Sequence, residues 1–408
     1  MSLAALVAVS CSSDGGQPDD GGTETSTSSV GESDGHDQPG GECVDTTATA
    51  EDPQAGEIVA AAEQVMEDNS LKAVLLRVER GGEEIVTAGL GQSLDGVPAT
   101  PDMRFWNGAT MFTYLGTVML LLHDEGVVDI DAPIDQYLPD APNGDQITPA
   151  MLLSSMSGYT DFERMEDWLD QLYADPFRAF TTEELEAYVF PEPLLFVPGT
   201  NVAYSHLNFR LAGQVIEQAT GQPLAEVLRE RFLDPLGMDE TISLDDAAIP
   251  QPLLHTFSDE RGVYEETTGW SPAWGVPEGG AMITTVCDVV VGGAAVGSGE
   301  LISDEAFDRM LNPGTVGVGE RTEECPACIP MTEELHLGMG ITVAGDWIVQ
   351  TPLFTGIAGI QAYLPSEDLS IAVTNTYAQG GDVDVNGSTQ VFQALAELLA
   401  PEARTPDF

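Results

Sequence analysis

The hydrophobic pattern of this chain changes period in a fixed order, and that order restricts the fold more than any other feature. Ile58, Val59, Ala62, Val65 and Met66 recur at helical spacing over 56–68. Residues 73–78 and 84–89 then read as two strands joined by a turn at Gly81-Gly82. A helix is expected over 109–125, and residues from about 130 to 282 read as mostly helical with many Pro and Gly breaks. Within that stretch 208–220 is a helix stopped by Gly221, and 224–233 is another. Two short strands follow over 338–349, two more over 357–364 and 369–375, and a closing helix over 391–399. Helix, hairpin, helical insert, strands, helix predicts an α/β protein of the α+β type. An antiparallel sheet is flanked by the terminal helices, with the insert at about 130–285.

The start of the third element carries a recognisable pattern. Residues 103–114 read M-R-F-W-N-G-A-T-M-F-T-Y, followed by E-G-V-V-D-I-D-A-P-I and Y-L-P. This resembles the serine β-lactamase and DD-peptidase-like hydrolases, in which the same place reads roughly F-x-x-G-S-x-x-K-x-F and then E-G-K-L-D-L-D-D-P and Y-L-P. The resemblance extends over about residues 50–400 and implies a β-lactamase/transpeptidase-like fold. In that family the serine attacks a carbonyl, and the lysine one turn later on the same helix face takes its proton. Here the serine position is Ala109 and the lysine position is Phe112. No shift of register restores the pair: the chain has a single lysine, Lys72, and the residue three before it is Asn69.

The other two motifs of the family are similarly worn. P-G-T-N-V-A-Y-S-H-L-N over 198–208 resembles the tyrosine motif, with Tyr204 retained and His206 in the asparagine position. Q-T-P-L-F-T-G over 350–356 falls where the family has H-T-G-G-T-P-G: Gln350 replaces the imidazole, Pro352 replaces a glycine, and only Thr351 and Gly356 match. Leu353 and Phe354 make that strand edge apolar. Scaffold stretches persist: 147–158 resembles I-T-x-x-x-L-L-x-H-T-S-G with Ser155 at the histidine, and 279–288 resembles G-G-l-x-S-T-x-x-D.

Charge and cysteines bear on location. With 68 acidic against 13 basic residues and a formal charge of −55, the surface repels polyanions, which excludes nucleic acid as a partner. Such a surface suits a saline habitat, where ions screen its self-repulsion; a merely acidic protein is the alternative. Residues 1–11 resemble the end of a bacterial lipoprotein signal with Cys11 as the lipidated residue, which makes an anchor the only expected membrane contact. Residues 12–54, rich in Gly, Ser, Thr, Asp and Pro, are expected to form a flexible acidic tether before a domain spanning 55–405. Cys325-Pro326-Ala327-Cys328 reads as a local disulfide, and a Cys43–Cys287 bridge is left open by spacing.

These readings favour a catalytically inactive, extracytoplasmic member of the family. It would bind a small molecule, peptide or protein in a cleft formed by Phe112, Tyr204, His206, Thr351, Leu353 and Phe354. The alternative is an active esterase, peptidase or β-lactamase-like hydrolase with a relocated nucleophile, for which Tyr204, His206, Ser154 and Ser155 are the candidates. The five histidines, His36, His123, His206, His255 and His336, are scattered singly, so no metal site and no cofactor are expected.

Overall fold

The computed structural model describes residues 43–244 and 247–406. The leader at 1–11 and the tether up to residue 42 lie outside the described residues.

Helix α1 (Ala55–Asp68) leads into strands β1 (Leu71–Arg80) and β2 (Glu83–Leu94). Helix α2 (Met111–Asp124) opens the site, and α3 (His206–Thr220) and α4 (Val286–Ser298) belong to and follow the insert. Strands β3 (Thr342–Ala344), β4 (Trp347–Gln350), β5 (Ile357–Leu364) and β6 (Leu369–Tyr377) precede the closing helix α5 (Gly387–Leu399). All pairings in the sheet are antiparallel, in the order β2-β1-β6-β5-β4-β3; a short strand at each edge and Leu353–Phe354, paired with β5 beside this path, complete a nine-stranded sheet. The N-terminal hairpin thus closes on the last long strand, Val74 opposite Asn375 and Leu76 opposite Val373. The sheet and its terminal helices are as the sequence pattern predicted.

Period-two alternation explains why β1 is apolar on both faces. Val74, Leu76 and Val78 pack with α1 and α5 residues such as Ile58, Phe392 and Leu395. Ala73 and Leu75 point the other way, onto Val286, Val289 and Val290 of α4. The largest core joins α2 and α3 to the insert.

Helix α4 was not foreseen, because V-V-V-G-G-A-A-V-G has neither helical period nor helical propensity. Close packing overrides propensity here. A Cβ on Gly297 would stand 2.3 Å from Tyr363 Cδ1, and one on Gly293 would stand 2.7 Å from Gln361 Cγ. Gly297→Ala is therefore expected to destabilise the protein in a denaturant melt by about 1–3 kcal/mol, overpacking outweighing the helical preference of alanine. A stabilised variant would show that α4 stands off the sheet.

Two expectations are corrected by packing. The tether does not reach residue 54: Thr46 N donates to Thr87 O at 2.9 Å, Thr87 N donates to Thr46 Oγ1 at 2.9 Å, and Cys43 is disulfide-bonded to Cys287 at the start of α4. Residues 224–233 are not one α-helix, since Leu224–Leu228 passes into a π turn over Arg229–Leu233 before Pro235. The Cys325–Cys328 disulfide forms as expected, buried against Ala203. No helix among the described residues is long and apolar enough to cross a membrane.

Candidate functional site

Helix α2 is entered through a 3-10 turn, Gly108–Thr110, that packs against the strand Leu353–Phe354. Gly108, at φ 51°, permits the approach: a Cβ there would lie 2.3 Å from Phe354 Cε1. Ala109 follows in the same 3-10 turn and faces a cavity of about 370 Å³. Tyr204, His206, Gln350, Thr351, Leu353 and Phe354 line the same cavity, with Glu163, Phe209, Trp274 and Ile341. Three widely separated segments named from sequence are thus brought together.

Phe112 and Pro352 are not. The Phe112 side chain is fully buried and stacks on Phe209, ring centroids 3.8 Å apart and planes within 7°. It stands behind the cavity wall, and Phe209 presents the aromatic surface that the sequence reading assigned to Phe112. Pro352 turns toward β5, where its carbonyl accepts from Gly359 N at 2.8 Å and from Asn386 Nδ2 at 3.1 Å. Gln350 lines the cavity, yet its amide serves the chain: Nε2 donates to Gly340 O at 2.9 Å and Oε1 accepts from Thr351 N at 3.0 Å.

The relocated-nucleophile candidates separate in the same way. Ser154 is buried and donates to Ala150 O at 2.7 Å. Ser155 is fully buried at φ 57°, and Ser205 donates to Thr160 O at 2.9 Å. None of the three lines the cavity, and among the described residues no serine, cysteine or lysine does.

What does face the cavity is an ionic cluster that reading the histidines one at a time missed. His206 is the first residue of α3, and its Nδ1 lies 3.0 Å from Asp161 Oδ2 and 3.5 Å from Glu163 Oε2. Asp161 caps the 3-10 turn Phe162–Arg164, its Oδ1 accepting from Glu163 N at 3.4 Å. Phe162 is buried between the two carboxylates, so Asp161 and Glu163 both reach the imidazole. Burial pulls the His206 pKa down, but Glu163 and Asp161 outweigh it and raise it from 6.5 to about 9. Burial pushes Glu163 up, with His206 opposing and Asp161 adding. Burial and the same two carboxylates hold Tyr204 well above the usual phenol range.

The linkage has a definite sign. A histidine whose pKa rises on folding contributes stability that is complete below 6.5 and is lost as pH climbs through about 9. The thermal midpoint should fall across that window more steeply for the native chain than for His206→Gln. Parallel profiles would show that the imidazole is not ion-paired.

Arg210, one turn along α3 from His206, fixes the opposite wall. Its side chain is fully buried. Nη1 donates to Ala273 O at 2.5 Å, to Trp274 O at 3.3 Å and to Val276 O, and Nη2 donates to Phe180 O at 3.3 Å. The guanidinium is the internal support of the 272–276 segment that carries Trp274. An arginine between Phe209 and Leu211 was the available sequence signal for it.

The family model described as Beta-lactamase matches residues 58–396. The chain belongs to the beta-lactamase family. Within this family it is 27% identical over 206 residues to penicillin-binding protein 4 of Amycolatopsis lactamdurans, covering 48% of this chain and 51% of that protein. It is 25% identical over 343 residues to a D-aminopeptidase of Gluconobacter oxydans, covering 80% of this chain and 60% of that protein. The chain therefore spans roughly half to three fifths of these relatives' lengths. The fold matches that of a D-stereospecific amidohydrolase from Streptomyces sp. with a TM-score of 0.69 at 23% identity, covering 84% of this chain and 99% of that one. An octameric penicillin-binding protein homologue from Pyrococcus abyssi gives 0.68 at 19% identity, covering 86% and 79%. The beta-lactamase family of serine hydrolases is thus the frame for the cleft that Ala109 lines.

Proposed function

We propose that this protein is a catalytically inactive member of the beta-lactamase family that works outside the cytoplasm by binding a small molecule or peptide in the cleft over Ala109. The observation that carries this reading is the cavity lining, which among the described residues holds no serine, cysteine or lysine. Thr342 and Thr351 bring hydroxyls to the lining with no lysine beside them, and His206 and Tyr204 do not replace the missing pair. An imidazole kept protonated by Asp161 and Glu163 cannot accept a proton from a nucleophile, and a phenol raised as Tyr204 is donates rather than attacks. The aromatic and aliphatic wall of Phe209, Trp274, Ile341 and Phe354 suits an apolar ligand. Two disulfides and the large acidic excess support an oxidising, extracytoplasmic and saline setting.

Intact-mass measurement after incubation with a fluorophosphonate, and separately with a penicillin, tests the central claim. The expected result is an unchanged mass in both. A stoichiometric adduct on any serine or on Tyr204 would establish an active hydrolase in its place.

A further inference from the structure

The Asp161–Glu163–His206 cluster does more than tie α3 to a neighbouring turn. We infer that these three side chains form a binding site for one first-row divalent metal ion, with zinc as the best match, whose remaining coordination position opens into the cleft. The inference goes beyond the reading of the cleft as an organic-ligand site and holds whatever else binds there.

The geometry carries it. One ligand atom from each residue lies within 4.8 Å of the others. The two measured separations from His206 Nδ1 are 3.0 Å to Asp161 and 3.5 Å to Glu163. Ligand atoms about 2.0–2.1 Å from a tetrahedral zinc are about 3.3 Å from one another, so these edges frame such an ion with little movement. One imidazole and two carboxylates suit zinc, manganese or iron(II) better than the all-oxygen sets preferred by magnesium and calcium. The ion would take the place of the proton that Nδ1 now shares with the carboxylates.

The cluster is also prepared from behind. Asp161 is 3% exposed, and its second oxygen is held by the Glu163 amide, which aims Oδ2 at the imidazole. The Ser205 hydroxyl bonds the Thr160 carbonyl at 2.9 Å, locking the residue before His206 to the residue before Asp161. Glu163 and His206 line the cleft while Asp161 stands behind them, so three protein ligands are arranged with one side open. That is the layout of a site that keeps a position for a ligand atom rather than a closed structural site. An anionic group on the cleft's occupant would complete the coordination.

The test is zinc titration by calorimetry of the full chain, stripped with a chelator, in excess magnesium and sodium chloride to occupy the many surface carboxylates. One zinc per chain is expected. Its affinity should fall ~100-fold in His206→Ala and at least ~10-fold in Glu163→Gln. Glu163→Gln alters a partly exposed side chain, and its melting curve reports whether the fold is intact. Cobalt(II) gives a second readout: intense visible bands of a tetrahedral ion in the native chain, absent from His206→Ala and weakened in Glu163→Gln. Failure of zinc to bind in competing magnesium, or an equal site in both variants, would overturn the inference. Neither result would bear on the mass-spectrometric test, which reads a nucleophile and not an ion.

Discussion

Replacing Arg210 with methionine is expected to remove about 3–5 kcal/mol of stability. The side chain is fully buried and its charge is met chiefly by carbonyl dipoles, with the Glu278 carboxylate at 3.9 Å and largely exposed. Methionine fills much of the volume but leaves the Phe180, Ala273, Trp274 and Val276 oxygens without their donor. Each such orphan costs about 1–3 kcal/mol when it stays dry. Lysine should fare little better, because a point charge on a flexible stem cannot bond several carbonyls in the plane of a fork. The Trp274 wall of the cleft should loosen in both variants, visible as a red-shifted tryptophan emission before the main unfolding transition. A melt of Arg210→Lys close to that of the native chain would mean that charge, and not the fork, holds the segment.

The second large effect concerns restoring the family chemistry. Ala109→Ser alone should fold and remain inert towards a chromogenic β-lactam, since it supplies a nucleophile with no base. Phe112→Lys should cost upwards of about 3 kcal/mol, because it forfeits a buried aromatic side chain and desolvates an ammonium. The new charge would also enter the place of the Phe112 ring, which stacks on Phe209 and whose centroid is 6.5 Å from that of His206, an imidazolium at neutral pH. The double variant is thus expected to unfold at lower denaturant and to show no turnover. Hydrolysis by a stable double variant would show that only two side chains separate this chain from activity. The packing argues that Phe209 and the Asp161–Glu163–His206 cluster would have to change with them.

Those neighbours also explain what the sequence could and could not disclose. The sheet was legible because β1, β5 and β6 alternate between two cores and leave long apolar runs. Helix α4 was not, since its glycines answer to Tyr363 and Gln361, residues more than sixty positions away. Ala109, Tyr204 and His206 were legible because each sits in a motif with fixed spacing. Asp161 is 45 residues before His206, in a short 3-10 turn with no periodicity, so nothing local linked them. Phe112 was placed on the right helix face but at the wrong depth: spacing on α2 gives direction, while Phe209 on α3 decides whether that direction meets solvent.

The Cys43–Cys287 bond has a mechanical consequence. It closes a covalent ring across a sequence separation of 244 residues, and the cleft segments carrying Ala109, Asp161 and His206 all lie inside that ring. A pull arriving along the chain from its N-terminal side reaches Cys43 first and crosses directly to the start of α4. The load path then runs through α4 and the later strands to the C-terminus, bypassing the ring. In a single-molecule stretching experiment under oxidising conditions, the cleft segments inside the ring should contribute no extension while those on β4 and after it are pulled out, whereas reduction should add the length of the whole ring.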